Sequence, residues 1–280
     1  MTLAINADLH LHTTASDGDL TPEKIVSLAE SRGIKTLAIT DHDTLSGLSE
    51  ACAAPGNIRV INGLEISAQC TPGTMHLLGY FPEYPRGMEG DLSGVQAGRK
   101  KRLPLIISKL KDLGMDIEAS EVAEIAGRAQ TGRPHIAKVL VAKGYVRDMN
   151  EAFSRYLAKS RPAYVEKEEM TRTRAIEMIR AYGGISVLAH PFTLGLEDHE
   201  LNALVKELAG QGLQGIEVYY PEHTRAQKRL YLEIAKDLDL IATGGTDFHS
   251  FKRKKIYPGA FGVNNDTIDA MEKRWEMLRP

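Results

Sequence analysis

Six of the nine histidines in this 280-residue chain occur at the ends of apolar segments, in company with Asp and Glu. His10 and His12 lie two residues apart on an apolar run, as do Asp247 and His249, and this spacing places each pair on one face of a strand. Imidazoles and carboxylates without thiolates fit Mn²⁺, Fe²⁺ or Zn²⁺ better than a structural zinc site. The pattern therefore indicates metal-assisted hydrolysis at a multinuclear centre with these ligands: His10, His12, Asp17, His42, Glu65, His76, His190, Asp247 and His249.

Each of these residues also has an ordinary structural explanation. A single histidine near a strand end is more often a satisfied polar residue than a ligand, and Asp17, next to a glycine, could simply shape a turn. We interpret Asp43 as the N-cap of the helix that follows it rather than as a ligand. Independent accidents would not place six histidines and three carboxylates at successive strand ends, so the set as a whole predicts a metal site.

Short apolar segments alternate with amphipathic segments at both ends of the chain. Thr21 and Pro22 mark the start of a helix and Gly33 its end. Repeated strand–helix units favour parallel strands with right-handed crossovers, and about seven strands predict a closed or nearly closed α/β barrel. The ligand candidates would then lie at the C-terminal ends of its strands, where barrel enzymes build active sites. The predicted strands are Ala4–Leu11, Thr36–Thr40, Ile58–Ile61, Met75–Phe81, Ile185–Ala189, Gly215–Tyr219, Leu240–Thr243 and Phe261–Val263.

The middle of the chain interrupts this alternation. Residues 83–173 are helical in pattern, which divides the chain into a barrel of residues 1–82 and 174–280 and an inserted helical subdomain. The insert carries 17 Lys and Arg against 13 Asp and Glu, whereas the whole chain has a net charge of -2. A basic insert above an acidic metal-binding barrel predicts a lid that receives an anionic substrate. The alternative is a solvated helical decoration.

Composition limits the class of partner and the compartment. A net charge of -2 argues against coating long nucleic acid through bulk electrostatics. Cys52 and Cys70 are the only cysteines and form no metal or redox motif, which fits a reducing compartment. The first strand begins too early for a signal peptide, and no apolar run is long enough to span a membrane. We therefore expect a soluble, cytoplasmic protein with no obligate protein partner.

The ordered motifs resemble those of the polymerase-and-histidinol-phosphatase (PHP) domain family. The resemblance covers the whole chain apart from the insert, and no expected ligand is missing. It implies a distorted (β/α)7 TIM-like barrel with phosphoesterase activity and two or three divalent ions, with Mn²⁺ preferred and Fe²⁺ or Zn²⁺ as alternatives. The matching motifs are Asp8-Leu9-His10-Leu11-His12, Ile39-Thr40-Asp41-His42-Asp43, Gly63-Leu64-Glu65-Ile66-Ser67, Ala189-His190-Pro191 and Thr246-Asp247-Phe248-His249.

The same resemblance assigns the ligands to three metal ions, with Glu65 as the bridging residue. A hydroxide held between two such ions would attack phosphorus in line with the leaving oxygen, because bound metals lower the pKa of water. Asp41, Glu217 or a metal-bound water could protonate the leaving group. The three implied sets are His10, His12, Glu65 and Asp247; Asp17, His42 and His249; and Glu65, His76 and His190.

Two basic stretches of the insert are candidates for binding substrate phosphate. One is Arg99-Lys100-Lys101-Arg102, and the other is Thr131-Gly132-Arg133-Pro134-His135, where Pro134 occupies the first position of a helix. Backbone N–H groups at that helix start and Arg133 could bind a phosphate together. We select Arg99 and Arg133 as anchors, followed by His135 and Arg102. The alternative for the first stretch is a solvated helix face.

The insert also resembles that of the PHP subgroup acting on 3′,5′-nucleoside bisphosphates and short 5′-phosphorylated RNA. This resemblance implies removal of the 3′-phosphate from a small nucleotide whose 5′-phosphate is held elsewhere. A histidinol-phosphate phosphatase would use the same chemistry, but one phosphate would need only one anion site. A non-catalytic or proofreading module docked to a polymerase is a third hypothesis, which the complete ligand set disfavours.

Overall fold

Seven strands form one sheet in the computed structural model, which describes residues 5–127, 131–166, 169–252 and 255–278, with only the backbone described for 99 and 100. The sheet order follows the chain order from β1 to β7. Leu11 of β1 and Phe248, just after β7, form a bridge across the remaining gap, so the barrel is nearly closed. The strands are β1 (Ala7–Leu11), β2 (Thr36–Ile39), β3 (Arg59–Ala68), β4 (Met75–Phe81), β5 (Ile185–Leu188), β6 (Gly215–Tyr219) and β7 (Ile241–Gly244).

Strand β4 is antiparallel to both of its neighbours, while all other pairs are parallel. The expectation of uniformly parallel strands is therefore wrong at this position. Only residues 69–74 connect β3 to β4, and a parallel pair needs a crossover of a dozen or more residues. The reversal places His76, near the start of β4, beside the C-terminal half of β3 that carries Glu65.

Helices cover the outside of the barrel, and the predicted helix start at Thr21 is confirmed. The Thr21 side chain accepts a hydrogen bond from the Lys24 N–H, and Pro22 is the first helical residue. The predicted strand Phe261–Val263 is not a strand; Val263 makes only an antiparallel bridge to Ala7. The helices outside the insert are α1 (Pro22–Ser31), α2 (Leu48–Ala53), α7 (Arg172–Ala181), α8 (Asp198–Gly210), α9 (Arg225–Asp237) and α10 (Asn265–Leu278).

Two apolar clusters hold the barrel together. One lies between the sheet and the surrounding helices and includes Ile25, Leu64 and Ile179. The other includes Leu78 and Trp275, and the Trp275 Nε1–H donates to the carbonyl of Tyr80 at 3.1 Å. This packing buries the strands on both faces, as expected for a barrel of mostly parallel strands.

The insert between β4 and α7 has an apolar cluster of its own, which includes Ile107, Leu140 and Leu157. Its first helix contains Pro104 in its interior. A separate core supports treating the insert as a subdomain, although its boundaries at 83 and 173 stay a prediction. Its helices are α3 (Met88–Asp112), α4 (Ala119–Ala126), α5 (Arg133–Ala142) and α6 (Met149–Ala152), followed by a π-helical turn at Phe153–Leu157.

Candidate metal centre

The structure brings all nine ligand candidates together at one rim of the barrel. Their side-chain nitrogen and oxygen atoms form overlapping groups in which all ligand atoms lie within 4.8 Å of one another. The groups are His12, Asp17, His42 and His249; His10, His12 and Asp247; His10, Glu65 and His190; and His42, Glu65 and His76. The predicted set Asp17, His42 and His249 lies within one of these groups, and His10, His12 and Asp247 form another without Glu65. The predicted set Glu65, His76 and His190 is divided, because His76 and His190 lie with Glu65 in two different groups.

Glu65 lies at the centre of the cluster and is buried on β3. Because its two carboxylate oxygens face different imidazoles, this one side chain could act as a ligand in more than one of these groups. Its Oε2 atom lies 3.5 Å from His10 Nε2, 3.2 Å from His12 Nε2 and 3.0 Å from His42 Nδ1, and its Oε1 atom lies 2.8 Å from His76 Nδ1 and 2.9 Å from His190 Nε2.

Two aspartates complete the cluster on the side of β1 and β7. Asp247 Oδ1 lies 3.2 Å from His12 Nε2 and 3.4 Å from His249 Nδ1. Asp17 Oδ1 lies 3.3 Å from His249 Nε2, and its Oδ2 lies 4.0 Å from His42 Nε2. Since His12 lies between the two aspartates, the groups of ligands are contiguous rather than separate sites.

Burial and mutual charge shift the pKa values of these groups strongly. Burial alone would raise the pKa of the Glu65 carboxyl, but His76, His42 and His10 beside it hold that pKa well below its usual range. Burial would lower the pKa of His12, yet the carboxylates of Asp247 and Glu65, each 3.2 Å from His12 Nε2, raise that pKa to about 10. For His42, burial dominates and lowers the pKa to about 4. The carboxylates are therefore ionised at neutral pH and attract cations, whether protons or metal ions.

The donor set fits divalent metal ions. Among the ligand candidates, buried atoms that make no hydrogen bond of suitable geometry include His10 Nε2, both ring nitrogens of His12, His42 Nδ1 and Glu65 Oε2. Buried polar atoms without partners are costly, and metal ions bound among them would provide partners for the ligand nitrogens and the Glu65 oxygen. Mixed nitrogen and oxygen donors suit Mn²⁺, Fe²⁺ and Zn²⁺ alike.

Asp41 does not join the ligand group, although we predicted a role in proton transfer. Its Oδ1 accepts hydrogen bonds from the Thr13 N–H at 2.8 Å and the Ser16 hydroxyl at 2.6 Å, and its Oδ2 accepts one from the Thr13 hydroxyl at 2.7 Å. These contacts secure the loop that carries Asp17. The position of Asp41 favours holding this loop over donating a proton.

Glu217 also lies outside the ligand group, but it contacts two of the ligand candidates, His10 and His190. Its Oε1 lies 3.0 Å from His10 Nδ1, and its Oε2 accepts the His190 backbone N–H at 2.8 Å. The predicted proton transfer by Glu217 does not fit these contacts, which occupy both oxygens.

The N-cap interpretation of Asp43 is wrong, because its Oδ1 accepts the Ser67 N–H at 2.9 Å and α2 begins after Gly47.

A cavity of about 470 Å³ connects the metal centre to the insert. Asp17, His42 and His76 line it on the barrel side, and Arg102 and Arg133 line it on the insert side. The insert therefore faces the metal centre across this cavity, and its role as a lid for an anionic substrate stays a prediction. Ligand pockets of this size accommodate small molecules.

Arg133 is held in place by the π-helical turn of the insert. Its Nη1 donates to the Leu157 carbonyl at 3.1 Å, and its guanidinium lies 5.8 Å from the Phe153 ring centroid and 5.6 Å from that of Tyr164. Arg102 donates through Nε to the Val165 carbonyl at 2.7 Å. Both predicted arginines therefore face the cavity from supported positions.

The structure supports neither of the other two predicted phosphate anchors, Arg99 and His135, in the way that it supports Arg102 and Arg133. The side chain of Arg99 lies outside the described residues. His135 is buried, and its Nδ1 accepts the Gly132 N–H at 3.1 Å, so it caps the start of α5. Lys159 also lines the cavity and was missed, because nothing in its local sequence distinguishes it from other surface lysines.

A nearly closed α/β barrel that gathers imidazoles and carboxylates on one rim defines a metal-dependent hydrolase. The sequence profile of the PHP domain family matches residues 8–237. The chain belongs to this family, and it is a metal-dependent phosphoesterase.

Two relatives and one solved structure align with nearly the full length of the chain. A 5′-3′ exoribonuclease of Haemophilus influenzae is 34% identical over 275 residues, which cover 96% of this chain and 97% of the relative. A 3′,5′-nucleoside bisphosphate phosphatase of Chromobacterium violaceum is 32% identical over 257 residues, 88% of this chain and 87% of the relative. A structure from Bifidobacterium adolescentis, described as a metal-dependent phosphoesterase, has a TM-score of 0.85 and 29% identity and covers 96% of each chain.

In the part of the chain that the structure describes, no helix combines the length and the apolar character needed to cross a bilayer.

Proposed function

We propose that this phosphoesterase removes the 3′-phosphate of 3′,5′-nucleoside bisphosphates, producing a nucleoside 5′-phosphate and inorganic phosphate. The observation that carries this proposal is one cavity whose lining includes both metal-centre residues and the insert arginines Arg102 and Arg133. A substrate with two phosphates could contact both groups of residues at once, whereas a substrate with one phosphate would use only one of them. The relatives that act on nucleoside bisphosphates and RNA support the same substrate class.

The metal centre would hold two or three divalent ions, with Mn²⁺ as our first choice. His10, His12, Glu65 and Asp247 would hold one ion, Asp17, His42 and His249 a second, and Glu65, His76 and His190 a third. When bound, such ions activate water as a nucleophile and neutralise charge on the phosphoryl oxygens.

The insert would orient the substrate by binding its 5′-phosphate. Arg133 offers a planar set of donors that suits bidentate contact with phosphate, and its contacts with Leu157, Phe153 and Tyr164 restrict its movement. Holding the remote phosphate places the 3′-phosphate at the metal centre and lowers the entropic cost of the reaction. A short RNA with a 5′-phosphate presents the same pair of groups, so 5′-to-3′ removal of nucleotides from short RNA is a second activity of the proposed site.

The role of Arg133 can be tested by combining a variant with a truncated substrate. We expect Arg133→Met to lower kcat/KM for 3′,5′-adenosine bisphosphate by roughly 10- to 150-fold, because a charge-assisted hydrogen bond contributes about 1.5–3 kcal/mol. The loss should be much smaller for 3′-AMP, which lacks the 5′-phosphate. Arg147→Met is a matched control, since Arg147 is an exposed residue of the insert paired with Glu151.

Equal losses with both substrates would remove Arg133 from the 5′-phosphate site. Histidinol phosphate and RNA with and without a 5′-phosphate complete the comparison. Preferred turnover of histidinol phosphate would reject the proposed substrate class while leaving the metal centre intact.

A further inference from the structure

We propose that the C-terminal end of strand β6 sets the geometry of the metal centre through two positioning residues, Glu217 and Tyr220. This strand contributes none of the nine ligand candidates, yet side chains at its end contact three of them. The inference rests on the metal occupancy proposed above. It assigns a function to β6, the one strand in the second half of the barrel that is not followed by a ligand candidate.

Glu217 orients the imidazole of His10. Both side chains are fully buried, and Glu217 Oε1 lies 3.0 Å from His10 Nδ1. A carboxylate oxygen at this distance accepts a hydrogen bond from Nδ1, which leaves Nε2 as the ligand atom. Nε2 lies 3.5 Å from both Glu65 Oε2 and Asp247 Oδ1, inside the predicted metal cluster.

The second oxygen of Glu217 holds the backbone of His190. The backbone of His190 has φ 25° and ψ 66°, in the left-handed region that residues other than glycine rarely adopt. Glu217 Oε2 accepts its N–H at 2.8 Å, and Thr193 Oγ1 lies 3.1 Å from its Nδ1. Together these contacts direct the His190 Nε2 toward Glu65.

Tyr220 holds Asp247 in the same way on the other side of β6. Its buried hydroxyl donates to Asp247 Oδ2 at 2.8 Å, and its ring lies edge-on to His190 at a centroid distance of 5.6 Å. Asp247 also has a positive φ, of 49°. Its other oxygen, Oδ1, is the one that faces His10 and His12.

The sheet order explains how one strand end reaches several ligands. Strand β6 lies between β5 and β7, and His190 and Asp247 follow those two strands. Among the residues that the structure describes, neither Glu217 nor Tyr220 lines the cavity, so both act through the ligands rather than on the substrate. Strain in the two ligand backbones would be maintained by these hydrogen bonds.

Metal binding measured without substrate tests this inference. We would prepare Glu217→Gln and Tyr220→Phe, which preserve size and remove a charge or a hydroxyl. The matched controls are Glu233→Gln on the exposed surface of α9 and Tyr219→Phe, the residue before Tyr220. Stoichiometry and affinity for Mn²⁺ would be measured by competition with a chelator, and ligand geometry by the visible absorption of the Co²⁺-loaded protein.

Both variants should bind at least one metal ion about 10- to 100-fold more weakly and show an altered Co²⁺ spectrum, because partners of metal ligands have effects of this size. The controls should match the parent. Parent-like affinity, stoichiometry and spectrum would overturn the inference, even if the metal-free variants melt at a lower temperature. If Glu217→Gln does not fold, Tyr220→Phe decides the question. Normal metal binding without nucleotide turnover would instead contradict the proposed function.

Discussion

Glu65 connects the metal groups because one buried carboxylate faces five imidazole nitrogens. Such a centre is stable without metal only if protons replace the cations. In the metal-free protein, His12 keeps a proton at neutral pH, since Asp247 and Glu65 raise its pKa to about 10. Metal ions and protons therefore compete for the same side chains.

We predict that metal binding at pH 7 releases protons. A His12 pKa raised from 6.5 to about 10 means that binding must displace a proton throughout that pH interval, so apparent affinity increases as pH increases. Calorimetric titration in two buffers with different ionisation enthalpies measures the number released. We expect at least one proton per protein. A binding enthalpy independent of the buffer would show that His12 is already neutral.

The ligand residues could be predicted from sequence because each is a chemically distinctive side chain in a short motif. The partners of those ligands could not. Glu217 and His10 are separated by 207 positions in the sequence. Asp41 is recognised as a residue that holds a loop only by the hydrogen bonds it accepts from Thr13 and Ser16. Such contacts exist only after folding, so both residues were assigned to proton transfer from their position alone.

At the scale of elements, apolar periodicity identified most strands but not their direction. Met75–Phe81 and Gly215–Tyr219 were predicted with the bounds that the structure shows. The strand predicted at Ile58–Ile61 extends to Ala68 in the structure. The prediction ended too early because Asn62 and Glu65, although polar, are buried inside the strand. Pairing direction depends on the length of the connection rather than on local propensity, which is why β4 was misjudged.

The contact between β1 and the segment after β7 depends on a glycine. A Cβ atom on Gly245 would lie 2.4 Å from the His10 nitrogen and 2.5 Å from the His10 Cβ. Gly245→Ala should therefore displace β1, lowering the free energy of unfolding by about 1–3 kcal/mol and weakening metal binding. Urea denaturation of the metal-free protein and a metal titration measure the two effects.

Gly210→Ala is the matched control for this variant. Gly210 ends α8, and a Cβ atom there would meet nothing within 4 Å. Replacing a helical glycine by alanine is expected to raise stability by about 0.5–1 kcal/mol. If Gly245→Ala behaves like this control, β1 and the β7 end are not in the close contact described here.

At the scale of the whole molecule, metal ligands connect most of the barrel. They come from β1, β3 and β4 and from the segments that follow β1, β2, β5 and β7. A bound ion therefore ties together segments far apart in sequence, and binding only the folded state raises stability by mass action.

Removing the metal should lower the melting temperature. With metal at about 100 times its dissociation constant, the stabilisation is about 2.7 kcal/mol, which corresponds to roughly 5–10 °C for a protein of this size. Scanning fluorimetry with and without EDTA measures the change, and His190→Asn should reduce it. Identical melting temperatures with and without chelator would mean that the centre does not bind metal tightly.

The separate core of the insert predicts that its packing can be damaged without loss of the metal centre. Leu140 is fully buried in that core, and Leu140→Ala should destabilise the insert by about 2–5 kcal/mol. Turnover of nucleotides should fall while metal content is retained. The control is Leu113→Ala, since Leu113 is 45% exposed. Loss of bound metal from Leu140→Ala would show that the insert and the barrel fold as one unit.

The central claim is that the phosphate at the 3′ position is removed while the 5′-phosphate stays on the nucleotide. The most direct measurement is chromatographic identification of the products from 3′,5′-adenosine bisphosphate with the Mn²⁺-loaded protein. We predict 5′-AMP and inorganic phosphate in equal amounts, with no product when EDTA replaces the metal. Formation of 3′-AMP, or no turnover by fully metal-loaded protein, would contradict the account.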